Sequence, residues 1–199
     1  MNSPRLLTRA GTTIHLDAQR WWASCSRADE KVLSTVVGPV LDVGCGPGRL
    51  VELLSRRGLD VLGIDVAPGA VESTRRRGGS AHRCSVFDPL PNEGSWRTAL
   101  LFDGNVGIGG DPARLFIRLR AVLAPGGTLL VEVDGPGSHY RCDQVRLEGP
   151  SGTSGWFPWA WLGAADVEGL AREVGLVVVD HHTVDDRHFV TLAVPGAHA

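Results

Sequence analysis

The chain has 199 residues, of which 43% are hydrophobic and 21% charged, with a formal net charge of −2. This composition excludes a disordered chain and fits a single globular domain. The slight negative charge excludes nucleic acid as a default partner, because phosphate binding wants a clear positive excess.

Lys31 is the only lysine, so every other basic residue is arginine. With abundant Gly, Ala and Val, this has the signature of a high-GC bacterial genome. Cys25, Cys45, Cys84 and Cys142 show no C-x-x-C spacing, and reduced thiols of a cytoplasmic protein are expected. The first residues lack the apolar core of a leader. No run approaches the roughly 20 apolar residues of a membrane span.

Two helices are predicted near 16–26 and 29–37, giving residues 1–38 the character of a helical cap before a domain over 39–199. Strand and helix patterns then alternate. A strand over 40–43 precedes a helix from Arg49 to Arg57, with Gly58 at its end. A strand over 60–64 precedes a helix from Pro68 to Arg77, stopped by Gly78-Gly79. Strands follow over 81–86 and 98–102, separated by a loop rich in Pro and Gly. Asp111-Pro112 opens a helix with an apolar face, and Pro125-Gly126-Gly127 breaks it. A strand over 128–133 leads into a connection over 135–158 dense in Gly, Pro and Ser. A helix over 164–174 and strands over 176–180 and 189–194 finish the chain.

Such alternation predicts an α/β domain with a mostly parallel sheet. The last two strands share only a short turn at Asp185-Asp186, so they are expected to be antiparallel. Ligands are expected over the carboxyl ends of the first four core strands.

The loop between the first core strand and its helix carries the most information. It reads Asp42-Val43-Gly44-Cys45-Gly46-Pro47-Gly48. Three alternating glycines let a ligand approach bare backbone at a helix N-terminus. Asp65 closes the next strand, where a carboxylate can accept two ribose hydroxyls. An NAD-linked oxidoreductase is the rival reading. Its G-x-G-x-x-G loop wants glycine where this chain has Arg49, and Asp42 would repel a diphosphate.

The stretch from Asp42 to Gly48 resembles motif I of the class I S-adenosylmethionine-dependent methyltransferases. Asp65 and the segment Leu123–Leu130 resemble further parts of that family. The resemblance implies a three-layer Rossmann-like fold with a seven-stranded sheet whose strand 7 is antiparallel. It implies S-adenosylmethionine as cofactor. Gly44, Cys45, Gly46 and Gly48 would pass along its amino-acid part and Asp42 would hold its ammonium side. Asp65 and Val66 would meet the ribose edge, and Ser85, Val86 and Phe87 the adenine. A member of the fold that binds cofactor without transferring a methyl group is a further alternative.

Asp103 and Asn105 follow strand 4, at the place where cofactor and acceptor meet in that fold. The Pro-Pro-aromatic sequence that accompanies amine recognition in some relatives is absent. Amino-group methylation of DNA or protein is therefore unsupported, and O-methylation of a small molecule is slightly favoured. Asp103, Asp134 and His139 are the candidate bases, because each follows a strand at the cofactor edge. Trp21, Asn105, Tyr140, Trp156 and Trp159 are the candidate acceptor contacts, with 135–163 as a lid or substrate loop. His181 and His182 are adjacent on a strand and point to opposite faces, so no metal site is expected. The assembly expected is a monomer or a homodimer.

Overall fold

The computed structural model describes residues 4–149 and 152–196. In chain order it contains β1 (Arg5–Thr8), β2 (Thr13–His15), α1 (Ala18–Trp22), α2 (Arg27–Val32), β3 (Val40–Val43) and α3 (Arg49–Arg56). There follow β4 (Val61–Asp65), α4 (Pro68–Arg76), β5 (Ser80–Arg83), β6 (Trp96–Leu101), α5 (Pro112–Val122) and β7 (Leu123–Val133). The last third holds β8 (Arg141–Gly149), β9 (Gly152–Thr153), β10 (Phe157–Trp161), α6 (Val167–Glu173), β11 (Val177–Val184) and β12 (Arg187–Ala193).

The central sheet has seven strands in the order β11-β12-β7-β6-β3-β4-β5. β12 runs antiparallel to both β7 and β11, and the remaining pairs are parallel. Alternation along the strands sorts two cores. Leu41, Val43, Ala99, Leu101, Leu129 and Val131 pack towards α5 and α6. Val40, Leu100, Leu130 and Phe189 pack towards α2 and α3. The sheet is therefore covered on both faces, which is why its central strands read as near-continuous apolar runs. Asp42 and Glu132 share the α3 face with Val40 and Leu130, two places along their strands.

Local chemistry sets the helix starts. Ser26 and Asp29 form a reciprocal capping box on α2. Asp111 accepts from the Arg114 amide ahead of α5, with Pro112 in the first turn. α3 begins at Gly48 with φ 91° and no side-chain cap, leaving its first amides free.

A second, antiparallel sheet was not legible in the sequence. It runs β10-β8-β1-β2, with β9 paired to β8. The connection over 135–158, expected to be irregular, thus contains β8, β9 and the start of β10. The N-terminal segment contributes two strands besides its short helices. These strands are brief and mixed in polarity, and their pairing joins residues far apart, such as Arg5 with Glu148. Strand propensity depends on such partners more than on local sequence. The third core strand is also shorter than expected, because Ser85 and Asp88 close a turn in which the Ser85 amide donates to Asp88.

Candidate active site

The carboxyl ends of β3, β4, β6 and β7 floor a cleft made of three connected cavities. The central one, about 140 Å³, lies against the glycine loop, with Asp42, Arg49, Asp103 and Trp21 in its walls. On the β4–β5 side it shares Gly44, Asp65 and Asn105 with a cavity of about 480 Å³. On the β7 side it shares Trp21 and Asp103 with a cavity of about 190 Å³.

The glycines of the loop have different tasks. Gly44 has φ 72°, and a Cβ there would stand 2.6 Å from the Asn105 amide nitrogen. Asn105 donates to the carbonyls of Val43 and Gly44, both at 2.9 Å, and so clamps the loop to the end of β6. Its amide nitrogen is spent on backbone, and the residue lines the central and β4-side cavities rather than the third. Gly46 has φ 53° with open space around it, and its amide donates to Asp65 at 3.0 Å. Gly48 does not line the central cavity. A Cβ there would lie 2.5 Å from the Thr74 hydroxyl, so this glycine lets α4 pack against the loop. Cys45 lines the cavity, and burial raises its thiol well above the usual range.

Two polar side chains in the central cavity are buried with atoms that lack hydrogen-bond partners. Asp42 is 2% exposed, and its Oδ2 has no partner. Burial pushes its carboxyl up to about 7, the Arg49 guanidinium pulling the other way. Arg49 is 3% exposed, and its Nε and Nη1 have no hydrogen-bond partner. Its Nη2 donates to both oxygens of Asp103, at 2.8 and 2.7 Å. Nη1 also lies 3.5 Å from Asp29 of α2. Arg187 of β12 completes the network, donating to Asp29 and to both oxygens of Glu132, each at 2.7 Å.

Asp103 itself has φ 56°, and its amide donates to Glu132 at 2.7 Å. Burial raises its pKa against the opposing pull of Arg49. With both oxygens held by Arg49, it is a member of an ion network rather than a free base.

The larger cavity is floored by Ile64, Val66, Ser85 and Val86 and roofed by Leu147, Phe157, Pro158 and Trp159 of the second sheet. The Asp65 carboxylate is organised by the amides of Gly46 and Ala67. Phe87 does not line this cavity, contrary to expectation. Its ring stacks under the Arg114 guanidinium at 4.3 Å and abuts Gly109. The roof comes close because glycines meet it. A Cβ on Gly107 would fall 2.1 Å from the Ala160 carbonyl, and one on Gly110 2.6 Å from Pro158 Cβ.

The third cavity takes Arg20, Trp21, Asp103, Glu132, Asp134 and Trp161 into its walls, together with His15 and Asp17. Of the three candidate bases, Asp103 and Asp134 reach it. His139 does not. Its side chain is 73% exposed, with Nδ1 3.3 Å from Asp166. The Asp166 carboxylate also accepts from the Tyr140 amide, turning residues 139–140 away from the cleft. Tyr140 lines a separate surface cavity with Asp111 and Leu162. Trp156 lies between the guanidinium groups of Arg9 and Arg146, 5.5 and 5.2 Å from its ring centre, outside the three cavities. Trp21 and Trp159 do line the cleft.

Sequence reading missed Arg20, Glu132 and Arg187, while Trp161 falls within the expected lid over 135–163. Glu132 carried a usable signal, an acid inside the apolar run Leu129-Leu130-Val131-Glu132-Val133. His181, His182 and His188 diverge: His181 faces Glu168, His182 faces Asp180, and His188 contacts the Thr183 hydroxyl. No helix among the described residues is long and apolar enough to cross a membrane.

Residues 40–127 match a family model described as a methyltransferase domain. A trans-aconitate 2-methyltransferase of Paracidovorax citrulli is 31% identical over 156 residues, covering 73% of this chain and 60% of that protein. The chain thus spans less than two thirds of the length of this relative. A Bacteroides fragilis SAM-dependent methyltransferase, solved with S-adenosyl-L-homocysteine, aligns with a TM-score of 0.80 at 20% identity, over 98% of this chain and 88% of that one. The 1,6-didemethyltoxoflavin-N1-methyltransferase of Burkholderia thailandensis aligns with a TM-score of 0.66 at 18% identity, over 90% and 81%. With its glycine loop, its strand-end Asp65 and its reversed last strand, the chain carries a methyltransferase domain in the fold of the class I S-adenosylmethionine-dependent methyltransferases.

Proposed function

We propose that this chain transfers a methyl group from S-adenosylmethionine to a small-molecule acceptor. The observation that carries the reading is the pair of buried, unpartnered groups in the central cavity, Asp42 Oδ2 and the Arg49 Nε and Nη1 atoms. Buried polar atoms without hydrogen-bond partners are costly, and an acceptor on Asp42 beside donors on Arg49, whose charge Asp103 and Asp29 already share, suits a zwitterionic amino-acid group. That is the chemistry of the cofactor's methionine end. A diphosphate offers nothing to Asp42, so the same observation disfavours the nicotinamide alternative.

Bound there, S-adenosylmethionine would supply a methyl group on a sulfonium, open to displacement by a nucleophile. The protein's part is alignment and exclusion of water. Asp42 takes the ammonium and Arg49 the carboxylate. Asp65, already fixed by two amides, takes the ribose hydroxyls. Val66, Ser85 and Val86 meet the adenine beneath Phe157 and Trp159. The second sheet is the lid, and Trp21 divides the cofactor's chamber from the acceptor's. O-methylation, favoured by the missing amine tetrapeptide, finds no support in the acceptor cavity, whose carboxylates point to nitrogen.

The test is calorimetric titration with S-adenosylhomocysteine, with NADH in parallel. Saturable micromolar binding of the former alone is expected. Binding of NADH alone would overturn the reading. Binding of S-adenosylhomocysteine without methyl transfer to any acceptor, trans-aconitate included, would mark a non-catalytic member.

A further inference from the structure

The acceptor cavity has walls whose charges do not cancel. Glu132 is taken by Arg187, and Asp103 by Arg49. Arg20 is the arginine in the cavity wall, and it already faces Asp17 at 3.5 Å, Asp103 at 3.9 Å and Glu132 at 4.0 Å. Each nearby cation is therefore shared among carboxylates.

Asp134 is the exception. Among the described residues, its carboxylate has no hydrogen-bond donor and no cation within 4.0 Å. Its backbone is nevertheless rigidly placed: the amide donates to Leu162 at 2.9 Å and the carbonyl accepts from Ala164 at 3.0 Å. Burial raises its pKa, with Glu132 adding to the rise and Arg141 opposing it. Arg141 itself is spent on the Trp161 ring, 4.0 Å from its centre. The indoles of Trp161 and Trp21 stand in the walls of the same cavity.

A half-buried carboxylate without a partner, set among indole rings, matches a cation carried on an apolar body. An anionic acceptor would meet the carboxylates of the wall, while Arg141, stacked on Trp161, does not line the cavity. We propose that the acceptor is a small molecule bearing a protonated amine, and that Asp134 is the residue that selects it. This rests on the methyltransferase reading above. On binding, an N–H bond of the ammonium breaks and its proton passes to Asp134 Oδ. The nitrogen would keep the electron pair and bond it to the methyl carbon as the carbon–sulfur bond of S-adenosylmethionine breaks, that bond's pair leaving on the sulfur of S-adenosylhomocysteine.

The experiment uses the protein saturated with S-adenosylhomocysteine, titrated at pH 7.5 with benzylamine, benzyl alcohol and benzoate. These share one aromatic body and differ in charge. Benzylamine is expected to bind at least tenfold more tightly than benzyl alcohol, with benzoate weaker still. Asp134→Asn is expected to bring amine and alcohol within about threefold of each other. The variant's affinity for S-adenosylhomocysteine is expected to stay within about twofold, because Asp134 lines neither cofactor cavity. Equal or tighter binding of the alcohol or benzoate overturns the proposal. So does an unchanged preference in Asp134→Asn, or no binding of the three probes. Failure of S-adenosylhomocysteine itself to bind overturns the methyltransferase reading, and this inference falls with it.

Discussion

Arg49 and Asp103 are joined by two hydrogen bonds from one guanidinium nitrogen, tying the first turn of α3 to the end of β6. The bond spans the cofactor cavity's wall and reaches Asp29 and Arg187 beyond it. Removing one member of such a buried network leaves the other charge without compensation. Asp103→Ala is therefore expected to cost about 3–5 kcal/mol of stability. Urea unfolding at pH 7.5 measures it, and a loss below about 1 kcal/mol would show the pair to be dispensable.

Asp42 makes the ligand-free protein and its complex respond to pH in opposite ways. Burial lifts its carboxyl from 3.8 to about 7 in the folded state. Between those values the native state binds more protons than the unfolded one, so this group's contribution to stability falls as pH rises, and levels off above about 7. A ligand ammonium wants the charged form. Affinity for S-adenosylhomocysteine should therefore rise from pH 5.5 to 7.5, by up to about tenfold per unit in the acid limb. Asp42→Asn should flatten that slope and stabilise the free protein at pH 8. Calorimetry across the range, paired with thermal melts, reads both.

Asp65 accepts from the amides of Gly46 and Ala67, and those bonds aim its remaining lone pairs at the cleft. Asp65→Ala should weaken S-adenosylhomocysteine binding by about 1–3 kcal/mol, the loss of charge-assisted hydrogen bonds. An unchanged dissociation constant would take Asp65 out of the site.

Gly107 ends the short 3-10 turn Asn105–Gly107 that follows β6 and touches the roof, with the Ala160 carbonyl inside any Cβ's radius. Neither partner is a flexible side-chain end. Gly107→Ala should cost about 1–3 kcal/mol and loosen cofactor binding by displacing β10. Wild-type melting temperature and affinity in this variant would show that the roof yields freely.

His139 stands apart from the cleft on Asp166. His139→Ala should leave both S-adenosylhomocysteine affinity and methyl transfer within about twofold of wild type, because a base must lie within hydrogen-bond reach of its proton. A large fall in kcat alone would return His139 to the site.

The central sheet and the glycine loop were readable in the sequence because their signals are local. Val40–Val43 is apolar on both sides but for one acid, Gly44 and Gly46 need left-handed backbone, and Asp111-Pro112 starts a helix by its own chemistry. The acceptor side was not, because there chain proximity misleads. His139 follows β7 closely, yet a hydrogen bond to Asp166 turns it outward. Asn105 lies at the right strand end, yet it is consumed by two carbonyls of the loop. Phe87 follows Val86 directly, yet it stacks on Arg114. Arg187 enters the ion network from the far end of the chain, and no spacing rule links it to Asp29.

The pairing of β1 with β8 has a consequence for assembly. Arg5 and Glu148 are 143 positions apart, so the strands they occupy close a loop that contains most of the domain. Closing so long a loop is entropically expensive, and such contacts are gained late. The floor of the cleft, made of strand and helix units closer in sequence, is expected to form before its cover. The cover rests partly on the chain's first strand, so anything that frays those few residues reaches the adenine-side cavity without touching a single residue in its walls.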